Sequence, residues 1–383
     1  MCLVEARGCN HRSDRSGFFP GCREESICKA MNVLFVYKYL TLGGVEAVLR
    51  TRLDGLSDFG INAHAWFLSY VDGQSILDPA DPRVWIGDVE HFRAHLQENG
   101  YSLVSSIDTE EIFPVMIGQP SEVKFIVEAH SPYRGNLEYL RHSGDVPIAA
   151  LLVPSKFQRE FIRPYLASPI PTHVVPNPLL AQFTSDLSEF SPRPERPILA
   201  WIGRLDDLKN WKDFFRLAEK LCVLHGNLQI WIAGRALSRT TGRELYQAAK
   251  KLRLLPRLRW FMNLPYSRVP GFLDAVRCSG GIVVSTSKGE SFGMTIAEAM
   301  ARGCAVVVPS YGPFPEFVED GVSGCFYKAG SVIDGVEKAN TLISDSRLRD
   351  SYGQKARETI LEAHHAERAL ASLARCLEDI SGD

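Results

Sequence analysis

The chain alternates between short apolar runs and stretches with helical spacing. In the first half, apolar runs short enough to be buried strands occur at residues 32–36, 61–68, 124–127 and 148–153. Between the first two runs, apolar residues recur at helical spacing at Val45, Val48, Leu49, Leu53 and Leu56. Ser155 follows the fourth run and can cap a helix that continues towards residue 165. This alternation predicts a parallel sheet with helices on both faces.

A similar alternation restarts in the second half, after a segment rich in proline. Residues 176–197 contain five prolines and few periodic apolar positions, which is typical of a linker because proline fixes φ and cannot donate a backbone hydrogen bond. Beyond this segment the pattern predicts strands at residues 198–202, 228–233, 258–262, 281–285 and 305–309. It predicts helices at residues 211–224, 244–254 and 294–302, and a helical end from about residue 335 to residue 380.

Two such units predict an α/β architecture of two doubly wound, Rossmann-like domains, and 383 residues suit two cores. We expect an N-terminal domain at residues 31–178, a proline-rich linker at 179–197 and a C-terminal domain at 198–362. Residues 363–383 would form a helix that packs back towards the N-terminal domain. Residues 1–30 lack both periodicity and the apolar centre of a signal peptide, so we expect a disordered leader or a start assigned too early.

The composition excludes some classes of protein. A net charge of −2 provides no overall positive field for nucleic acid, and no apolar run reaches the ~18 residues of a membrane span. The nine cysteines include no CxxC pair, so we expect reduced thiols and a cytoplasmic location. The segment from Lys156 to Tyr165 is basic and amphipathic. It is either an ordinary surface helix or a peripheral contact with the inner face of a membrane.

Two short segments at the ends of predicted strands could bind an anion. Gly43 and Gly44 follow the first strand, where glycine lets the backbone approach a ligand and the next helix offers free amides. A simple tight turn would have the same pattern. Arg204 and Lys209 follow the first strand of the second unit and can converge on a diphosphate, although two solvated surface cations would look the same.

The segment from Glu290 to Glu298 is the most informative. A predicted strand leads into a glycine-bearing loop that opens a helix near Phe292, so Glu290 lies on the loop and Glu298 about one turn beyond Met294. Carboxylates accept hydrogen bonds from sugar hydroxyls, and a helix N-terminus attracts phosphate. Alone, the two carboxylates would indicate a helix cap and a solvated face. Their position after a strand favours a nucleotide-sugar site.

With these flanking residues the chain resembles the retaining, GT-B-fold glycosyltransferases of family 4, the glycosyl transferases group 1. The resemblance extends over about residues 31–380 and is denser in the second half. Besides Arg204, Lys209, Glu290 and Glu298, it rests on Gly43-Gly44-Val45-Glu46, Val153-Pro154-Ser155-Lys156-Phe157, Val175-Pro176-Asn177-Pro178, Ile232-Ala233-Gly234 and Pro315-Glu316.

The resemblance implies that the two domains face each other across a cleft, with the N-terminal domain on the acceptor side and the C-terminal domain binding the nucleotide sugar. It also implies roles at the donor site. Arg204 and Lys209 would bind the donor diphosphate and stabilise it as the leaving group, while Gly43 and Gly44 close over it from the other domain. Glu298 would bind the ribose hydroxyls and Glu290 the hydroxyls of the donor sugar. Amides would come from Ser291, Phe292, Gly293, Met294 and Thr295. Asn263 and Leu264 match the base-binding loop of the family.

The resemblance also implies an active-site histidine near the acceptor at His130, although a histidine at a strand end is often structural. Two departures from the family pattern affect the donor site. Pro313 stands where the family has a second glycine, and Asn210 follows Lys209 in place of a glycine. The first domain has no clear markers at residues 70–120, where acceptor recognition is expected, so the acceptor stays open between a glycan, a lipid and a small molecule.

The resemblance implies transfer of a sugar from a UDP-, GDP- or ADP-linked donor to an acceptor hydroxyl, with retention of configuration and without a protein nucleophile. No Asp-x-Asp occurs, so we expect neither a metal nor another cofactor. Two alternatives remain: another GT-B enzyme, such as a nucleotide-sugar epimerase or a phosphorylase, and a catalytically silent nucleotide-sugar-binding module.

Overall fold

The computed structural model describes residues 30–187, 194–236 and 238–382. The leader predicted at residues 1–30 therefore lies outside the described residues, except for residue 30, and so do residues 188–193 of the predicted linker. Residues 31–383 contain two parallel sheets with an apolar core on each face of each sheet. The predicted pair of doubly wound, Rossmann-like domains is confirmed.

The N-terminal sheet has seven parallel strands in the order β3-β2-β1-β4-β5-β6-β7. They are β1 (Met31–Leu40), β2 (Ile61–Tyr70), β3 (Val84–Ile86), β4 (Leu103–Ile107), β5 (Lys124–Glu128), β6 (Ile148–Val153) and β7 (Thr172–Val174). In β1, Val33 and Phe35 enter the core on one face of the sheet, whereas Leu34 and Val36 enter the core on the other. Both faces of this strand are buried, which explains its nearly continuous apolar run.

The strand β4 is absent from the sequence prediction, although it lies in the middle of the sheet between β1 and β5. All of its residues are buried, including Ser105 and Ser106, whose hydroxyls interrupt the apolar pattern. Ser105 donates to the Glu128 carboxylate at 2.7 Å, and Ser106 donates to the carbonyl of Thr109 at 2.7 Å. The two hydroxyls are buried because their hydrogen-bond partners lie within the folded domain. The hydropathy of the sequence cannot show these partners, so it does not reveal the strand.

The C-terminal sheet has six parallel strands in the order β10-β9-β8-β11-β12-β13. They are β8 (Ile198–Ile202), β9 (Gln229–Ala233), β10 (Leu258–Phe261), β11 (Ile282–Val284), β12 (Val306–Pro309) and β13 (Cys325–Tyr327). The strand predicted at residues 198–202 has the same bounds in the structure, whereas β13 is not predicted. β8 and β11 are neighbours in this sheet, so the loops that follow them lie side by side.

The described residues contain α1 (Gly44–Gly55), α2 (Val89–Glu98), α3 (Phe113–Met116), α4 (Lys156–Ile162), α5 (Ala181–Thr184), α6 (Trp211–Leu224), α7 (Arg239–Lys251), α8 (Val269–Cys278), α9 (Met294–Ala301), α10 (Val332–Ser344), α11 (Ser346–His364) and α12 (Ala366–Ser381). The region predicted to be helical from about residue 335 to residue 380 consists of α10, α11 and α12. Asp345 caps a new helix by accepting from the amide of Leu348 at 3.0 Å, and the chain is extended at His365. Two breaks therefore divide this region into three helices.

The last helix returns to the N-terminal domain. Leu370, Leu373 and Leu377 of α12 are buried in the core that also contains residues of β1 and α1. The chain crosses between the domains twice, near Leu179 and again just before α12. The two crossings lie side by side, because the carbonyl of His364 accepts a hydrogen bond from the amide of Leu179 at 3.0 Å. The first part of the predicted linker is packed, because the Phe183 side chain of α5 is fully buried in the core of the C-terminal domain.

Candidate active site

The carboxyl ends of the two sheets meet at the domain boundary. Ser155, which follows β6, donates its hydroxyl to the carbonyl of Ser291 at 2.6 Å. The side chain of Met294, at the start of α9, packs against the cores of both domains. Ligands of open α/β sheets bind outside the carboxyl ends of the strands. This boundary is therefore where a site is expected.

The glycine turn after β1 lies against α9. A Cβ atom on Gly44 would come within 3.1 Å of the Met294 side chain, and one on Gly43 would come within 2.7 Å of a carboxylate oxygen of Glu46. The backbone of Gly43 is extended, so the requirement for glycine here is close approach and not a positive φ. The turn therefore presents bare backbone to the start of α9 in the other domain.

Glu46 supports this turn from behind, a role that sequence reasoning missed. Its buried carboxylate accepts a hydrogen bond from the amide of Thr41 at 2.8 Å and another from the Thr41 hydroxyl. Burial raises the pKa of Glu46 to about 7, although the hydrogen bonds from Thr41 oppose the shift. The available sequence signal was an acidic residue in the first turn of the helix that follows the two glycines.

The loop after β8 carries both candidate diphosphate ligands, and each already has a carboxylate partner. Arg204 Nε lies 3.3 Å from Asp206 Oδ2, while 53% of the arginine side chain is exposed. Lys209 Nζ donates to both carboxylate oxygens of Glu290, at 2.6 and 2.7 Å. Asp206 also accepts from the backbone amide of Lys209 at 2.7 Å, which fixes the loop. The site is therefore neutralised internally, and an incoming diphosphate would compete with these carboxylates.

The helix α9 begins at the cleft with uncapped amides. Gly293 precedes it with φ +97°, a left-handed conformation, and a Cβ there would lie 2.8 Å from the Phe314 ring. Glycine is therefore required by both the backbone and the space. Because Gly293 has no side chain to cap the helix, the first amides of α9, including those of Met294 and Thr295, are left for a ligand.

Phe292 has a different place from its neighbours in this segment. Its ring is buried in the core of the C-terminal domain, 5.1 Å from the ring of Phe317 and 4.7 Å from that of His364. Only the backbone of Phe292 can therefore serve the site. Ser291 is half-buried and is tied to the N-terminal domain through its carbonyl and Ser155.

Glu298 lies on α9 under the loop that follows β10. Only 3% of the residue is exposed, and its carboxylate accepts a hydrogen bond from the hydroxyl of Tyr266. The loop residue Asn263 is exposed and Leu264 is partly buried against the core. Tyr266, another residue that sequence reasoning missed, therefore ties this loop to Glu298 and brings the expected ribose and base contacts together.

His130 is held from two sides after β5. Its ring Nε2 lies 3.0 Å from Glu128 Oε2, and its backbone amide donates to Asp108 Oδ2 at 3.0 Å. Glu128 and Arg52 are both fully enclosed and form a two-pronged ion pair at 2.7 and 2.9 Å. Burial alone would raise the pKa of Glu128, but Arg52 and His130 lower it well below its ordinary value. Because Nε2 of His130 contacts the Glu128 carboxylate, the other ring nitrogen, Nδ1, is available to a substrate.

Asp108 completes this side of the cleft at the end of β4. It has a positive φ of 43°, which is uncommon outside glycine, and its carboxylate also accepts from the Tyr139 hydroxyl at 3.1 Å. Burial raises the pKa of Asp108 to about 6, against the opposing effect of His130. Among the described residues, no group of three His, Cys, Asp or Glu side chains is arranged to hold a metal ion.

The basic segment that includes α4 contacts the C-terminal domain. Glu316 accepts hydrogen bonds from the backbone amides of Lys156 at 2.8 Å and Phe157 at 2.6 Å, and the Phe157 ring packs edge-on against Tyr311 at 5.4 Å. A carboxylate from one domain thus caps a helix of the other. In the described part of the chain, no helix combines the length and the apolar character needed to cross a bilayer.

We predict that Glu298 makes stability depend on pH. Burial raises the pKa of Glu298 from 4.5 to about 8, so the folded protein retains a proton that the unfolded chain releases. This contribution is fully present below pH 4.5 and is lost as the pH rises to about 8, by up to about 1.4 kcal/mol per unit. Glu298→Gln, which cannot ionise, should therefore gain stability relative to the wild type between pH 5 and pH 8.

Urea unfolding at several pH values in this window measures the difference in free energy of unfolding between the two proteins. Glu244→Gln, at an exposed position on α7, is the control and should show a difference that does not change with pH. A wild-type–Glu298→Gln difference that stays constant from pH 5 to pH 8 would show that the buried carboxyl titrates normally.

Parts of the chain are similar in sequence to known proteins. Residues 184–359 match the family model described as Glycosyl transferases group 1. The D-inositol 3-phosphate glycosyltransferase of Corynebacterium kroppenstedtii is 28% identical over 221 residues, which cover 52% of this chain and 46% of that protein. The sucrose synthase of Acidithiobacillus caldus is 27% identical over 184 residues, 45% of this chain and 23% of that protein. The matches therefore span less than half of the length of these relatives.

Solved structures resemble nearly the whole chain. HepE of Anabaena, in complex with UDP and glucose, superposes with a TM-score of 0.77 at 18% identity, covering 91% of this chain and 100% of that chain. The sucrose-phosphate synthase of Thermosynechococcus elongatus superposes with a TM-score of 0.75 at 14% identity, covering 92% and 99%. At these identities the likeness establishes the fold. The chain thus has the two-domain GT-B fold, and its residues 184–359 are similar to the glycosyl transferases group 1 family.

Proposed function

We propose that this protein is a glycosyltransferase that transfers a sugar from a nucleotide diphosphate sugar to an acceptor hydroxyl. One observation carries the proposal. Lys209 and Glu290, 81 residues apart in the chain, meet at 2.6 Å beside the uncapped start of α9. A cation, a carboxylate and free helix amides in one place suit a donor with both a diphosphate and sugar hydroxyls.

The donor is proposed to be UDP-, GDP- or ADP-linked, with UDP first. HepE, which shares the fold, was solved with UDP and glucose. In the proposed complex, Arg204 and Lys209 bind the diphosphate in place of their carboxylate partners, Asp206 and Glu290. The two cations then stabilise negative charge on the departing diphosphate. Glu290, relieved of Lys209, accepts hydrogen bonds from hydroxyls of the sugar.

Glu298 is proposed to bind the ribose. Its carboxyl lies between α9 and Tyr266, at the base of the loop that contains Asn263 and Leu264. The uncapped amides from Gly293 to Thr295 would meet phosphate or sugar oxygens from one side of the cleft. The bare backbone of Gly43 and Gly44 would meet them from the other.

The reaction is proposed to be that of family 4, with retention of configuration and no metal. The bond between the anomeric carbon and the diphosphate oxygen breaks, and the acceptor oxygen bonds to the same face. The acceptor proton passes to the departing phosphate oxygen, so no protein nucleophile is needed. Arg204 and Lys209 supply the positive charge that a metal would otherwise provide.

The acceptor is proposed to bind beside His130, with Asp108 and Tyr139 close by. The ring nitrogen Nδ1 of His130 suits a hydroxyl-bearing acceptor, whether glycan, lipid or small molecule. We propose a cytoplasmic location, because the cysteines at positions 222, 278, 304, 325 and 376 are free thiols.

A thermal-shift screen of UDP, GDP and ADP and their glucose conjugates tests the donor proposal. A ligand at 100 times its Kd should stabilise the folded protein by about 2.7 kcal/mol and raise Tm by several degrees. With the donor known, proton NMR of the product shows the anomeric configuration, and unchanged turnover in EDTA would support a metal-independent reaction. If no nucleotide raises Tm, the donor proposal is wrong.

Two variants test where the nucleotide identified by the thermal-shift screen binds. Glu298→Ala should weaken nucleotide binding about tenfold or more, because the hydrogen bonds of the buried carboxyl group to the ribose are lost. Glu244→Ala removes an exposed carboxylate from α7 in the same domain and should leave the affinity unchanged. Equal affinities in both variants would contradict the ribose assignment. Isothermal titration calorimetry gives the Kd values directly.

A further inference from the structure

Tyr133 links the two domains at Arg204. This tyrosine belongs to the N-terminal domain, three residues after His130. Its hydroxyl donates to Asp206 Oδ2 at 2.7 Å and accepts a hydrogen bond from Arg204 Nη2. The Arg204 guanidinium carbon also lies 5.2 Å from the centre of the Tyr133 ring.

The phenol oxygen is the only group in this cluster that both donates and accepts. The hydroxyl donates a hydrogen bond to Asp206 and accepts one from Arg204. It therefore fixes the orientation of both the carboxylate and the guanidinium. Asp206 is held independently by the backbone amide of Lys209. Arg204, by contrast, is more than half exposed, and the 3.3 Å contact of its Nε with Asp206 would leave the far end of the guanidinium mobile without the tyrosine.

The backbone just before Tyr133 is held in place by hydrogen bonds within the N-terminal domain. The carbonyl of Ser131 accepts from the side chain of Gln158 at 2.9 Å, and Gln158 is fully buried in α4. The backbone of His130 is anchored on Asp108. The hydroxyl therefore has a defined position relative to the N-terminal domain, and Arg204 takes its orientation from that domain although it belongs to the other.

We propose that Tyr133 is a positioning residue for Arg204, which it orients only when the two domains are together. This inference rests on the proposed function, in which Arg204 stabilises the departing diphosphate. It predicts that the arginine becomes catalytically effective on domain closure, so that the charge needed in the transition state is assembled from both sides of the cleft.

Tyr133→Phe keeps the ring over Arg204 and removes only the hydroxyl. With UDP-glucose as the probe, kcat should fall about ten- to a hundredfold, as expected for losing a hydrogen bond to a charged group, while the Kd of UDP changes little. Tyr246→Phe is the control, because this tyrosine is 56% exposed on α7 of the same chain. It should behave as the wild type.

A second measurement needs no substrate. Phenylglyoxal modifies exposed guanidinium groups, and mass spectrometry of peptides gives the rate at each arginine. Modification of Arg204 should be several-fold faster in Tyr133→Phe than in the wild type, whereas Arg216, which is 64% exposed and paired with Asp213, should keep its rate.

The two measurements separate this inference from the proposed function. If the wild type neither binds UDP nor turns over UDP-glucose, the UDP donor is wrong, but the labelling rates still decide whether Tyr133 holds Arg204. Faster labelling of Arg204 with a lower kcat supports the positioning role. Unchanged labelling overturns it, and so does faster labelling with wild-type kcat.

Discussion

Glu290→Gln is expected to lower kcat about 100- to 1,000-fold while UDP still binds with nearly wild-type affinity. In the structure both carboxylate oxygens of Glu290 receive Lys209 Nζ, at 2.6 and 2.7 Å. Glutamine has the same shape but only one acceptor, and its amide nitrogen repels the ammonium group. The sugar hydroxyls then lose a charged acceptor. UDP lacks the sugar, so its binding should be spared.

Steady-state kinetics with the donor identified by the nucleotide screen gives kcat, and calorimetry gives the Kd of UDP. Glu319→Gln, at an exposed position in the same domain, is the matched control and should not change either quantity. A kcat close to the wild type would show that Glu290 does not serve the reacting sugar. A loss of UDP binding equal to the loss of turnover would place Glu290 on the nucleotide instead.

Arg52→Met is expected to destabilise the protein by about 3–5 kcal/mol, whatever its substrate. Arg52 is 2% exposed and Glu128 is 0% exposed, and they form a two-pronged ion pair at 2.7 and 2.9 Å. Removing the guanidinium leaves a buried carboxylate whose remaining partners, among the residues that the structure describes, are Ser105 and His130. Because that carboxylate must then ionise without a cation, the loss should be larger at pH 8 than at pH 5.

Urea unfolding, followed by tryptophan fluorescence and circular dichroism, measures the change in free energy of unfolding. The double variant Arg52→Met with Glu128→Gln should recover part of the loss, because a neutral amide replaces the uncompensated charge. Arg141→Met removes an exposed arginine that pairs with Glu138 and should cost less than about 1 kcal/mol. Equal losses for Arg52→Met and Arg141→Met would contradict the importance of burial.

The hydropathy pattern predicted the strands whose side chains are apolar on both faces, including residues 148–153 and 198–202 at their observed bounds. It failed where a buried strand carries polar side chains. Ser105 in β4 looks like a surface residue in the sequence, and Arg52 in α1 looks like a solvated cation. Both are buried because each reaches Glu128, which lies on a different element of the fold.

The sequence likewise predicted some features of the candidate site and missed others. The glycines and charged residues at strand ends mark Gly43, Arg204, Lys209 and Glu290 as candidates, because parallel strands bring such loops to one edge. The sequence does not indicate that Lys209 pairs with Glu290 and Arg204 with Asp206. Nor does it indicate Tyr133 or Tyr266, whose hydroxyls act on residues far away in the chain.

By itself, the sequence determined the two α/β domains and the loops that could hold a nucleotide sugar, since periodicity and strand-end chemistry are local properties of the chain. Only the tertiary structure decided which charges neutralise each other, that Glu316 caps α4 of the other domain, and that burial raises the pKa of Glu298 to about 8. These features depend on distance and on exclusion of water between segments remote in sequence, and both arise only when the domains pack together.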